Sequence, residues 1–174
     1  MMILLTGGSG CGKSSFAESL CVKMPMPRYY LAAMQPYGEG SREKIARHRE
    51  MRKGKGFQTI ERYSDYASLT FPERGSALLE CICNLTANEM FSADGSVSDP
   101  CERVIAGVEN LMRQCENLVV ITNDVGSDGC KYDAETLRYI AAIGRINALL
   151  AQRADVVYEV VCGIPILKKG ESIL

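Results

Sequence analysis

Gly7-Gly8-Ser9-Gly10-Cys11-Gly12-Lys13-Ser14 carries the spacing G-x-x-x-x-G-K-[ST], and these residue types at that spacing build an anion site. Glycines have no Cβ, so successive backbone N–H groups can turn inward onto phosphate oxygens. Lys13 is placed to reach the β/γ-phosphates, and the Ser14 hydroxyl is placed to hold Mg²⁺. A helix starting here adds the positive end of its dipole. Without a ligand, the same residues would be a glycine-rich strand–helix turn.

The second chemical cluster surrounds the only histidine. Between Glu39 and Lys55 lie seven basic and three acidic side chains, in a chain of formal net charge -1. His48 sits in the middle, in Arg47-His48-Arg49-Glu50-Met51-Arg52. Arginine forks suit phosphate oxygens. Nearby positive charge disfavours imidazolium, and a neutral imidazole is what a nucleophile needs. The competing reading is a solvated basic helix face with an incidental histidine. A basic helix for nucleic acid lacks the interleaved aromatics that stack on bases, and the overall charge steers the chain neither to nucleic acid nor to acidic membranes.

Positioning these groups requires strands and helices in alternation. Apolar runs read as strands at Met1–Thr6, Arg28–Ala33, Phe57–Glu61, Ser76–Cys83, Leu118–Thr122 and Val156–Cys162. Ile164–Leu167 reads as a last edge strand or hairpin. Helical periodicity covers Ser15–Met24, Ser41–Arg52 with Ser41 as N-cap, Asn84–Phe91, Asp99–Cys115 and Asp133–Arg153. Ser92–Asp99 and Gly126–Asp133 read as surface loops. With the phosphate loop after strand one, this predicts a single P-loop NTPase-like (RecA-like) domain over residues 1–174. It is α/β, with a mostly parallel sheet and helices on both faces.

In such a sheet, ligands sit beyond the carboxyl ends of the strands. That position makes candidates of the phosphate loop, Ala33-Met34-Gln35, Glu80 and Thr122-Asn123-Asp124. Asp124 fits either a metal-binding acid or an Asx-turn. The eight cysteines include no C-x-x-C pair, so a zinc site is not expected and buried, reduced thiols in a cytoplasmic protein are. No stretch reaches the length of a membrane span, and the opening run is too short for a signal peptide.

Several of these segments together resemble the bifunctional adenosylcobinamide kinase/adenosylcobinamide-phosphate guanylyltransferase family of cobalamin biosynthesis. The resemblance rests on the phosphate loop, Tyr30-Leu31-Ala32-Ala33, Lys44-Ile45-Ala46-Arg47-His48-Arg49-Glu50-Met51-Arg52 and Phe57-Gln58-Thr59-Ile60-Glu61. It continues through Leu78-Leu79-Glu80-Cys81, Thr122-Asn123-Asp124-Val125-Gly126 and Gly144-Arg145-Ile146-Asn147. Cys11 stands where the family usually has Ser, Lys53 where it has Pro, and Ala33-Met34 lacks the common Thr/Ser.

The resemblance implies an enzyme that phosphorylates adenosylcobinamide with a nucleoside triphosphate, ATP or GTP, using Mg²⁺. It would then transfer GMP from GTP through a GMP–His48 intermediate. It implies nucleotide contacts from Gly7, Gly8, Ser9, Gly10, Cys11, Gly12, Lys13, Ser14, Ala32, Ala33, Met34, Arg49, Arg52, Glu61 and Glu80. Ser14 and Asp124 are the expected metal residues. Glu61 and Glu80 match positions that contact the nucleotide or its metal, in unresolved order. Glu61 otherwise reads as a strand-end charge and Glu80 as a paired buried carboxylate. A homotrimer with the nucleotide near a subunit boundary is implied as well. The other readings are a P-loop kinase for another small metabolite, with His48 only binding phosphate, and a regulatory nucleotide switch.

Overall fold

β-Branched and leucine-rich runs with no polar alternation must be covered on both faces, and in the computed structural model they form the centre of one sheet. The structure describes residues 1–91 and 96–173. The element order is β1 (Met2–Thr6), α1 (Lys13–Val22), β2 (Arg28–Ala32), α2 (Gly38–Met51), β3 (Phe57–Glu61), β4 (Gly75–Glu80), α3 (Ile82–Met90), α4 (Cys101–Gln114), β5 (Cys115–Ile121), α5 (Ala134–Arg153), β6 (Val156–Val161) and β7 (Ile164–Lys169). The strands lie in the order β3-β2-β4-β5-β1-β6-β7. The first six are parallel, and β7 returns antiparallel along β6. This is the expected α/β sheet, with the last hairpin resolved.

The strands' two faces feed two cores. Met2 and Leu4 point into one, with Val104, Val108 and Leu111 of α4 and Leu150 of α5. Ile3 and Leu5 point into the other, with Ala17, Leu20 and Cys21 of α1. The parallel register has one consequence for chemistry. Glu61 pairs with Ala32, Ala32 with Glu80, and Glu80 with Ile121. The strand ends therefore form one row along a single edge, which the phosphate loop meets after Thr6.

Several boundaries differ from those expected. β4 stops at Glu80, and Cys81 becomes the extended residue whose carbonyl accepts from Leu85 N at the start of α3. Cys81–Cys83 thus leave the sheet. α2 begins at Gly38, not at a Ser41 cap, because Gly38 takes a left-handed φ of 73° that turns the chain into the helix one turn earlier. β5 begins at Cys115, where the expected strand began at Leu118, so α4 ends at Gln114. α1 begins at Lys13, two residues before Ser15. Of the expected loop Ser92–Asp99, residues 92–95 lie outside the described residues.

The β6–β7 turn braces the phosphate loop. Gly163 N donates to Cys11 O at 2.8 Å. Gly7 has φ 139°, and a Cβ there would sit 2.4 Å from the Val160 carbonyl oxygen. Gly7→Ala is therefore expected to destabilise the protein by about 2–4 kcal/mol through strain and displacement of backbone. Urea unfolding measures it, and an unchanged midpoint would mean that the turn and loop move apart freely.

Candidate active site

The phosphate loop sits after β1, in the row of strand ends. Lys13, only 5% exposed, donates to Gly7 O at 2.9 Å and Gly8 O at 2.6 Å, with Cys11 Sγ at 3.5 Å. The loop's own carbonyls thus hold the cation where phosphate oxygens would compete for it. Ser14 Oγ donates to Glu80 Oε1 at 2.6 Å. Glu80's other oxygen, Oε2, lies 2.9 Å from His48 Nδ1 and accepts from the Tyr30 hydroxyl. A continuous chain of contacts therefore runs from the phosphate loop through one carboxylate to the histidine.

Helix α2 lies across the row of strand ends and separates two cavities. Lys44, Arg47, His48 and Met51, at helical spacing, face a cavity of about 360 Å³ lined by Ser9–Ser15 and by Asn84 and Asn123. Arg42, Ile45, Arg49 and Arg52 face a second, of about 250 Å³, with Tyr30, Ala32, Met34, Glu61 and Tyr63. His48, Met34 and Glu80 line both. Arg52 is stacked over the Tyr30 ring, 4.1 Å from its centroid, and its Nε donates to Thr59 Oγ1 at 3.1 Å. Arg49 pairs with Glu61.

Burial, then the charges of Arg47, Arg52 and Lys44, push the His48 imidazole below its ordinary value, so it is neutral at pH 7. Its Nδ1 is engaged by Glu80, which leaves Nε2 as the free ring nitrogen. Burial, the largest cause, pushes the Glu80 carboxyl up to about 7, and the nearby charge of Glu18 adds to it; Ser14 and Lys13 oppose. A carboxyl raised in the fold binds its proton more tightly folded than unfolded. Its contribution to stability is intact below about pH 4.5 and is lost as pH rises through about 7, by roughly 3 kcal/mol. Glu80→Gln is accordingly expected to flatten the fall in stability between about pH 5 and about pH 8. Urea unfolding at both pH values checks this, and an unchanged fall would place the ionisation elsewhere.

The sequence candidates separate clearly. Ser9, Gly10, Cys11, Gly12, Lys13 and Ser14 line the loop cavity, with Gly7 and Gly8 behind them as carbonyl acceptors. Ala32 and Met34 line the second cavity, whereas Ala33 is buried in the core and its N–H donates to Glu80 O at 3.0 Å. Asp124 has an exposed side chain that accepts from Ser127 Oγ at 3.0 Å, and the acid that Ser14 bonds is Glu80. Asn123, a strand-end candidate, also lines the loop cavity, whereas Tyr30, Lys44 and Arg47 were not among the named nucleotide-site residues. The i, i+3, i+4, i+7 spacing of Lys44, Arg47, His48 and Met51 is the signal that finds two of them.

A glycine-rich loop between the first strand and first helix of a parallel sheet, with Lys and Ser turned to one cavity, defines a P-loop nucleotide-binding α/β protein. Solved structures agree on the fold. A Pyrococcus horikoshii OT3 protein, PH0250, superposes with TM-score 0.54 at 10% identity, covering 99% of this chain and 87% of that one. The ATPase domain of G40P gives 0.50 at 8% identity, covering 91% and 68%. The model of the family described as cobinamide kinase / cobinamide phosphate guanyltransferase (CobU) matches residues 3–167, and the chain belongs to that family. It is 31% identical to the bifunctional adenosylcobalamin biosynthesis protein CobU of Escherichia coli strain K12, over 94% of this chain and 97% of that one. The CobU of Salmonella typhimurium strain LT2 is 32% identical over the same shares. The corresponding CobP of Pseudomonas aeruginosa strain PAO1 is 27% identical over 99% and 100%.

Proposed function

We propose that this protein phosphorylates adenosylcobinamide with a nucleoside triphosphate, ATP or GTP. It then transfers GMP from GTP to the product through a covalent GMP–His48 intermediate, giving adenosylcobinamide-GDP and pyrophosphate. The observation that carries the reading is the chain Ser14–Glu80–His48, which ties a neutral imidazole to the phosphate loop.

In the first half of the transfer, His48 Nε2 attacks the α-phosphorus of GTP. A P–N bond forms, the P–O bond to pyrophosphate breaks, and Glu80 holds the proton at Nδ1 and steadies the imidazolium that develops. The phosphate-loop N–H groups and Lys13 take the leaving pyrophosphate, and Arg47 and Lys44 bring positive charge to the same cavity. In the second half, a phosphate oxygen of the acceptor attacks, and His48 leaves.

Mg²⁺ suits this donor set, because the Ser14 hydroxyl is a hard oxygen ligand whose orientation is set by its hydrogen bond to Glu80 Oε1. When bound, the ion neutralises triphosphate charge. Glu80's oxygens are taken by Ser14, Tyr30 and His48, so Glu61 is the carboxylate that can exchange Arg49 for the N1–H/N2–H edge of guanine. The same reading takes the enzyme as a cytoplasmic homotrimer; light scattering tests the assembly. No described helix is long and apolar enough to cross a membrane.

The decisive experiment is incubation with α-labelled GTP and Mg²⁺, followed by denaturation and peptide mapping. Label on His48 that is lost in acid and survives alkali is the expected result. GTP binding with no label would overturn the transfer mechanism and leave a kinase for another small metabolite, or a nucleotide switch.

A further inference from the structure

Helix α2 carries the nucleophile but buries none of its residues fully. Apolar packing therefore does little to fix it, and polar contacts must. Three of these lie at the site itself: His48–Glu80, Arg49–Glu61 and the Arg52–Tyr30 stack. Arg52 also donates to Thr59 Oγ1, and a further pair lies outside both cavities, where no step of the chemistry uses it. Lys55 Nζ donates to Glu18 Oε2 at 2.6 Å. Glu18 is completely buried, and its Oε1 has no hydrogen-bond partner among the described residues.

A buried carboxylate with an unpaired oxygen is a poor source of stability, since desolvation offsets the attraction of its one cation. What such a pair does well is fix one geometry. Here it joins the two elements whose separation matters. Glu18 stands on α1, five residues beyond Lys13 of the phosphate loop, and Lys55 follows α2, seven residues beyond His48. The turn between is Arg52-Lys53-Gly54-Lys55-Gly56. Both glycines are left-handed, at φ 74°, and they lead the chain back toward α1. Arg28 binds the same turn by its backbone: Nη1 donates to Lys55 O at 3.4 Å, while Nε and Nη2 hold Met24 O beyond the end of α1 at 3.1 and 2.9 Å.

We propose that the pair formed by buried Glu18 and half-exposed Lys55 is a positioning device that sets the location of His48 on α2 relative to the phosphate loop on α1. It clamps the C-terminal end of α2 to α1, so the imidazole and the triphosphate site move as one unit. In its catalytic consequence this rests on His48 being the guanylylated residue; in its structural consequence it does not.

Three variants test it: Lys55→Met, the double variant Glu18→Gln/Lys55→Met, and Lys55→Arg. Each is read by single-turnover labelling with α-labelled GTP, by GTP affinity, by thermal stability and by amide hydrogen exchange over α2. Lys55→Met is expected to slow GMP transfer to His48 about tenfold to a hundredfold with GTP affinity within about threefold. Exchange across the last turns of α2 should rise. The double variant removes the unpaired charge and should recover thermal stability while transfer stays slow and α2 exchange stays fast. Lys55→Arg should keep the native rate.

Recovery of the transfer rate together with stability in the double variant would reduce the pair to a structural role and overturn the proposal. So would a native rate with native α2 exchange in Lys55→Met. Should Lys55→Met fail to fold, the double variant alone decides. Should the native protein take no label on His48, the nucleophile assignment fails, and α2 exchange in the double variant still decides the clamp.

Discussion

His48→Ala is expected to abolish covalent labelling by α-labelled GTP and to lower GMP transfer at least about a thousandfold, roughly 4 kcal/mol of barrier. GTP binding and phosphorylation of adenosylcobinamide should persist within a few-fold. The reason is the proposed division of labour, in which the phosphate loop and Lys13 hold the nucleotide and His48 supplies only the nitrogen that bonds to phosphorus. The pH profile of labelling gives a second sign. The neutral imidazole is the reactive form, and burial with Arg47, Arg52 and Lys44 holds its ionisation below 6.5. Labelling should therefore decline as pH falls through about 7, where Glu80 takes up its proton and no longer steadies the imidazolium, and not at the lower pH where the imidazole itself ionises. A His48→Ala protein that still transfers GMP would move the nucleophile elsewhere.

Lys13→Met is expected to lower both half-reactions together, each by about 10²–10³-fold, or roughly 3–4 kcal/mol. The Lys13 amine is buried among the Gly7 and Gly8 carbonyls. In so dry a setting its charge acts on phosphate oxygens with far less screening than in water. Methionine keeps the stem's length and apolar packing, so the fold should survive the change while triphosphate affinity and both rates fall. Parallel assays of phosphorylation and GMP transfer give the contrast with His48→Ala: one variant splits the two activities, the other does not. Equal loss from both variants would contradict the separate roles assigned here.

The phosphate loop was readable from the sequence because its chemistry is encoded by adjacent residues, and the strand pattern was readable because fully covered strands are continuously apolar. Legibility ended where partners are far apart in the chain. Glu80 stood out as a strand-end acid, but nothing local says that it joins Ser14, 66 positions earlier, to His48, 32 positions earlier. That depends on the register aligning β4 with β2 and β5. Asp124 read locally as either a metal-binding acid or a turn residue, and in the fold its exposed carboxylate accepts from Ser127 Oγ. Tyr30 read as one more apolar strand residue, although its hydroxyl reaches the Glu80 carboxylate and its ring carries Arg52. Glu18 gave no signal, since one acid on an amphipathic helix is ordinarily solvated.

The bracing of the phosphate loop also sets an order of events during synthesis. β1 leaves the ribosome well before its two sheet neighbours, β5 and β6, which begin more than a hundred residues later in the chain. Val160 of β6 confines Gly7, and the turn that supports Cys11 through Gly163 follows β6. A growing chain can form α1 early, but the loop gains its backing only once β6 and β7 have emerged. Nucleotide capture is thereby deferred until nearly all of the described chain has been translated.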